Sequence, residues 1–410
     1  MRTKQKLTFV AALAVGSFSG CPAARAVAAQ NTQPLQAVHP GANRRCPVQA
    51  AANATLGQAS TQISLAQYQD AAVTLKPLVE AGCDPRASLL FAAAIEAGGD
   101  APGALDVLER AHAAWPMNTS IAASLARQYL NAGQTDKAVQ ALKHFEVTSR
   151  TPQQEMEEAV LVYFAAHQLA SAHAVAAAEY REYPSLHTLL LLANALQLEG
   201  RYPEVNQLLQ GKREAFADQP EFLITLAESE SDAAIYPQAR KDLEQAIVLD
   251  PKSHQAHYLL GYVLLRMNDA DPAIGEFHRA IDLGSRQPRT FYQLALALRS
   301  KQDDAGEEQA LTSALAIDDR YAPAQCEVGR ILLEQHRASD ALDHLNAAIQ
   351  YNPHSEEAYF LLVKAYRELG ERDKSEEMVK RLVALKRENR NGRQSPKGPD
   401  APINDAPLKR

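Results

Sequence analysis

Ten residues spaced 33 or 34 positions apart constrain this chain more than any other feature: Ala59, Ala92, Ala126, Ala159, Ala193, Ala227, Gly261, Ala295, Gly329 and Val363. Nine of them are Ala or Gly, where chance in a chain about one quarter Ala plus Gly would give two or three. A fixed period of this length marks an array of short supersecondary units, each burying its apolar face only by stacking on its neighbours. Function in such an array lies in its surfaces.

The period also tells what each unit is. Between Pro85 and Pro116, Leu90, Phe91 and Ala94 follow helical spacing, Gly98-Gly99-Asp100 breaks it, and Ala104, Leu105, Leu108 and Ala111 resume it. The next unit repeats these offsets with Leu125-Ala126, Tyr129, Gly133, Ala138, Leu142 and Phe145. Each unit therefore reads as helix, turn, helix. Charged residues at 22% and aromatics at 6%, with abundant Ala and Leu, fit a helical protein with a core to bury. A second set of mostly small residues comprises Ala71, Ala104, Ala138, Ser171, Val205, Ala239, Ala273, Glu307, Ala341 and Ser375. Small side chains at both places let the two helices of a unit cross at close range. A third set, facing the following unit, holds Ala111, Ala178, Ala246, Ala280, Ala314 and Ala348.

With Leu260-Gly261, Leu264, Ala273, Phe277 and Ala280 as the best match, these units resemble the tetratricopeptide repeat, whose 34-residue pattern runs W-x-x-L-G-x-x-Y, then A-x-x-x-F, then P. Leu226-Ala227, Ala239, Leu243, Ala246, Asp250-Pro251 and Val328-Gly329, Leu332, Ala341, Leu345, Ala348, Asn352-Pro353 repeat the pattern. The resemblance implies an all-α fold, a right-handed superhelical solenoid of about ten helical hairpins over residues 46–385. Units starting near Pro152 and Leu186 are degenerate, Lys212 stands where the third Ala belongs, the spacing shortens between Ala126 and Ala159, and Glu307 predicts looser packing of its unit.

The first 28 residues read as an export signal: Arg2, Lys4 and Lys6, an apolar run from Leu7 to Phe18, and Ala26-Val27-Ala28 as a cleavage site. Ser19-Gly20-Cys21 offers a second reading, because it resembles a lipoprotein box in which Cys21 is acylated; Phe18 departs from that pattern. The expected location is periplasmic or secreted, with a membrane reached only through a lipid on Cys21. No other segment is long and apolar enough to span a bilayer. Residues 29–45 read as a flexible leader and 386–410, with Pro396, Pro399 and Pro407, as a disordered basic tail. Without residues 1–28, 38 basic residues face 49 acidic ones, a net charge of −11, which argues against a nucleic-acid partner.

Cys46 and Cys83 flank the first helical pair. The two ends of an antiparallel hairpin lie side by side, so a disulfide between them is expected in an oxidising compartment. Cys326 reads as a buried small apolar residue. No phosphate-binding loop, H-E-x-x-H, G-x-S-x-G or C-x-x-C pattern occurs, and His254 with His257 lacks a third metal ligand placed by the sequence. The pairs Glu157-Glu158 and Glu376-Glu377 read as solvated surface. About 25 residues follow the last repeat, so no catalytic domain, cofactor or metal is expected, and the chain reads as non-enzymatic.

In the family the first helix of each unit lines the concave groove through its second, fifth, ninth, twelfth and thirteenth positions. Carried onto this chain, the groove would present Tyr258, Tyr262 and Arg266 in one row, then Arg289, Tyr292 and Arg299, then Arg330, extended by Lys364 and Arg367. Tyr and Arg dominate binding hot spots. This cluster predicts a protein or peptide partner that carries acidic groups. Glu221, Glu228 and Asp232 would make the preceding stretch acidic. The competing reading packs these tyrosines between helices. An envelope assembly or trafficking lipoprotein, or a regulatory subunit of a separate enzyme, are the alternatives to a plain interaction scaffold.

Overall fold

The computed structural model describes residues 49–390, which form twenty-one helices and no strand. The chain divides into two compact units, the first ending at Glu199 and the second beginning at Gly200. In the first, α1 (Gln49–Ser64) pairs with α2 (Tyr68–Ala81), α3 (Pro85–Ala97) with α4 (Ala101–Ala114), α5 (Thr119–Asn131) with α6 (Thr135–Ala141) and α7 (Gln153–Ala165) with α8 (Leu169–Glu182), and α9 (Leu186–Leu198) follows. The second opens with α10 (Tyr202–Gln210) and the single turn α11 (Arg213–Phe216). Five pairs succeed them: α12 (Pro220–Asp232) with α13 (Tyr236–Leu249), α14 (His254–Arg266) with α15 (Ala270–Asp282), α16 (Pro288–Ser300) with α17 (Asp304–Ile317), α18 (Ala322–Glu334) with α19 (Ala338–Tyr351) and α20 (Glu356–Glu368) with α21 (Arg372–Arg390). Each second helix also packs on the first helix of the next pair, so the fold is an all-α helical solenoid. α21 runs to Arg390, five residues past the expected end of the ordered repeats. No helix among the described residues is long and apolar enough to cross a membrane.

Turn chemistry sets the period. The first helix of each pair ends at a residue with left-handed backbone, at positions 66, 99, 133, 167, 200, 234, 268, 302, 336 and 370. The amide one place past the left-handed residue then reaches back five residues, as Ile235 N does to Glu230 O at 2.7 Å and Asp269 N to Leu264 O at 2.9 Å. Gly occupies four of these turns; Ala66, His167, Ala234, Asn268, Gln302 and His336 hold the rest at φ between 57° and 64°. Side-chain caps start many helices: Asp84, Asp100, Asn118, Ser253, Asp303 and Ser355 each accept a first-turn amide.

These turns correct the register of the fourth unit. Elsewhere the small residue lies seven places before the left-handed turn, which for His167 is Val160 rather than Ala159. The matching positions on α8 are Ala172 and Glu179, not Ser171 and Ala178. Ala159 and Val160 are both 0% exposed, so small size could not choose between them, and a His in the turn gives no sequence signal. The short interval therefore falls between His167 and Gly200.

The ten expected small residues are buried. A β-carbon on Gly329 would fall 2.5 Å from Leu345 Cδ2, so the close crossing is real. At Lys212 the second helix of its unit breaks, leaving α10 and α11 separated at Gly211 and Lys212. Glu307, expected to loosen its unit, is instead buried at 3% exposure and ion-paired to Arg330.

Candidate functional site

Most of the expected groove residues lie inside the stack. Tyr258, Tyr262 and Tyr292 are 4%, 7% and 3% exposed. The Tyr258 ring sits 6.1 Å from that of Phe277, with the Arg289 guanidinium 5.0 Å over its centroid, and Tyr292 meets Tyr321 edge-on at 5.8 Å. Burial raises the Tyr258 and Tyr321 hydroxyl pKa values. The fifth position of a first helix thus faces the next first helix. Tyr258 and Tyr292 serve as core side chains, which fits the competing reading.

The arginines differ among themselves. Arg289 is 9% exposed and its Nε donates to Gln287 at 2.6 Å. Arg330 donates to Glu327 at 2.6 Å and Glu334 at 2.7 Å and also pairs with Glu307. Burial opposes its charge, but these carboxylates outweigh it and raise its pKa. Arg299 Nη1 reaches Glu327 at 2.6 Å while its side chain stays 41% exposed. Arg266 is exposed, with Nε 3.4 Å from the Tyr236 hydroxyl. Around Arg299 and Arg330 three carboxylates answer two cations, so this face does not gather the positive charge that the sequence suggested. Lys364 and Arg367 on α20 remain exposed.

The first unit holds a charge ladder that sequence reasoning missed. Arg127 on α5 donates to both oxygens of Glu96 on α3 at 3.0 Å, and its Nε lies 3.2 Å from Glu158 on α7. Burial works against the Arg127 charge and the two carboxylates restore it, raising its pKa. Glu158, expected on the solvated surface, is 8% exposed, and Glu157 pairs with His187 at 3.3 Å. Glu376 and Glu377 are exposed as expected. Spacing alone does not say which Glu of an adjacent pair turns inward.

Two further carboxylates are buried. Glu179 is 0% exposed, with Gln153 Nε2 donating to one oxygen at 3.3 Å and no hydrogen-bond partner for the other. Burial and the nearby Glu157 push its pKa up to about 7. In the second unit Glu230 is 0% and Asp242 2% exposed. Arg213, just past the break at Lys212, grips Asp242 with two bonds of 2.6 Å and Glu230 with one of 3.0 Å. Burial, then Asp242, push Glu230 to about 7 against the pull of Arg213.

His257, considered with His254 for a metal, faces Glu276 at 2.6 Å, and no group of three ligating side chains is gathered among the described residues. Cys326 is free and buried, and burial raises its thiol pKa. Cys83 is disulfide-bonded. Cys46 and Cys21 lie outside the described residues, as do the signal, the leader and the tail beyond Arg390.

Tetratricopeptide repeat models match residues 224–288 and 332–394. These two stretches fall within the ten-fold turn pattern, so the chain carries tetratricopeptide repeats, a kind of repeat that acts in general as a non-catalytic scaffold for protein interaction. Similar solved structures include YrrB, described as a tetratricopeptide repeat protein with an unusual peptide-binding site, at 20% identity and TM-score 0.36 over 43% of this chain and 91% of that one. A tetratricopeptide repeat protein from Parabacteroides merdae matches at 14% identity and TM-score 0.46, over 57% and 93%. PilW, a type IV pilus biogenesis factor, matches at 18% and TM-score 0.44, over 48% and 91%. No curated protein matches this chain.

Proposed function

We propose that this chain is an exported, non-enzymatic scaffold whose first-helix faces take a segment of a partner protein outside the cytoplasm. The family supports a protein partner. The observation that carries the finer reading is the split among the arginines: Arg266 and Arg299 keep exposed side chains on the first-helix face, whereas the tyrosines beside them are packed away. The partner then meets surface cations and supplies carboxylates to them, while the aromatic rows hold the face rigid. Basic residues before an apolar run and Ala26-Val27-Ala28 support export, and Ser19-Gly20-Cys21 supports a lipid-anchored form of the same scaffold.

The experiment uses the chain from residue 29 as bait on its native envelope fraction, followed by affinity measurement on the captured partner. Replacing Arg266 and Arg299 together with Glu weakens binding by about tenfold or more and flattens its salt dependence. Unchanged affinity removes the assignment. Intact mass of the chain from its native source separates cleavage near Ala28 from acylation at Cys21.

A further inference from the structure

The stack follows a covering rule that the last pair leaves open among the described residues. In the second unit, the aromatic residue at the fifth position of a first helix is covered by the start of the next first helix: Tyr258 of α14 by Arg289 of α16, and Tyr292 of α16 by Tyr321 just before α18. Both tyrosines are buried. Phe360 holds the fifth position of α20 and is 48% exposed.

Two cations show a parallel arrangement. Arg299, twelfth in α16, meets Glu327, sixth in α18, at 2.6 Å. In the first unit Arg127, ninth in α5, meets Glu158, sixth in α7, at 3.2 Å. Lys364 and Arg367 are ninth and twelfth in α20. Both are exposed and have no carboxylate partner among the described residues; the Lys364 ammonium rests 4.7 Å over the Phe360 ring. An aromatic surface and two cations stand where Tyr258, Tyr292, Arg127 and Arg299 are covered or paired by a following first helix or the residue that starts it.

We propose that this face of α20 docks a helix from a partner protein, laid on α20 as each first helix is laid on the one before. Its first turn brings an aromatic or cationic residue over Phe360, and a carboxylate four to six residues further on meets Arg367 and Lys364, the spacing of Arg289 or Tyr321 relative to the sixth position. The inference rests on the scaffold reading and names its partner class. Charge selects the occupant. The chain's own residues 391–410 carry four basic and two acidic residues and the prolines 396, 399, 402 and 407, the opposite of a carboxylate-bearing helix. A second copy docking head to tail would offer α1, which contains no acidic residue.

The test uses the chain from residue 29 and a fluorescent, lactam-bridged helical peptide of residues 319–335 with Cys326→Ser, which carries Tyr321 and Glu327 at the required spacing. Fluorescence anisotropy is expected to show binding that weakens about tenfold or more with Phe360→Ala or Arg367→Glu, both exposed and without effect on the melting temperature. A peptide with Glu327→Lys is expected to lose binding to the natural chain and regain it on Arg367→Glu. No binding by the natural chain, or binding indifferent to both substitutions, overturns the proposal. A tenfold gain on truncation after Arg390 would assign the face to the tail, and a dimer abolished by Phe360→Ala would assign it to a second copy; either overturns it. Failure here with envelope capture intact leaves the scaffold reading standing, while failed capture with peptide binding intact removes only that reading.

Discussion

Gly261 lies so close to Phe277 that a β-carbon on it would sit 2.8 Å from the ring's Cε1 and 3.2 Å from the Ala273 carbonyl oxygen. Gly261→Ala must push α14 and α15 apart or drive a fully buried ring off its rotamer, which costs about 1–3 kcal/mol. Gly275, inside α15, has nothing within 4 Å of the same built atom. Gly275→Ala is therefore expected to stabilise by up to about 1 kcal/mol through helix propensity alone. Urea midpoints of the two variants should move in opposite directions; a shared sign refutes the packing account.

Ala234 closes α12 with φ of 58°, a conformation that crowds its β-carbon. Other turns of the same type use Gly at positions 99, 133, 200 and 370. Ala234→Gly is expected to raise stability by about 1 kcal/mol, because relief of strain exceeds the entropy Gly gains when unfolded. Thermal unfolding measures it, and a lower midpoint contradicts it.

The sequence carried the helical pairs because two small residues per unit must meet where helices cross, and nothing larger fits beside Phe277 or Leu345. It misplaced the fourth unit by one residue, since Ala159 and Val160 are equally buried and only the backbone at His167 separates them. Lys212 and Glu307 were visible as departures, but their consequences depend on residues distant in sequence: Arg213 turns inward to Asp242, and Glu307 finds Arg330. The candidate groove was legible as positions and not as surface. A repeat pattern states which residue faces the next helix; whether that helix buries it depends on the side chain brought over it, as Arg289 is over Tyr258.

Tyr258 and Arg266 share a row on α14 and should respond differently to replacement. Tyr258→Ala removes a buried ring that touches Phe277 and Arg289 and is expected to cost about 3–5 kcal/mol. Arg266→Ala is exposed and should stay within about 0.5 kcal/mol of the natural chain. Chemical denaturation separates them, and only the second informs on partner contact.

Arg213 is the sole basic side chain recorded against the buried pair Glu230 and Asp242 among the described residues. Arg213→Met leaves two buried carboxylates without it, at an expected cost of about 3–5 kcal/mol near pH 8. Below about 7 Glu230 takes a proton, so the same substitution should cost less at pH 5. A loss independent of pH across that window would show that Arg213 acts by packing alone.

Glu179 gives the pH dependence its clearest sign. It stands on α8 between Gln153 and Glu157 of α7 and His187 of α9, and burial and Glu157 lift its pKa from 4.5 to about 7. The folded chain then holds a proton that the unfolded chain has lost between these values, so stability falls as pH rises through that window and levels above about 7. His187, whose pKa is raised by its bond to Glu157, adds stability at low pH that fades in the same direction. Glu179→Gln keeps a neutral side chain at every pH. It is expected to add about 1–3 kcal/mol at pH 8 and almost nothing at pH 4.5, read as the difference between urea midpoints at the two pH values. An equal gain at both would mean that Glu179 titrates in the folded chain as it does in the unfolded one, with its second oxygen hydrated rather than shut in.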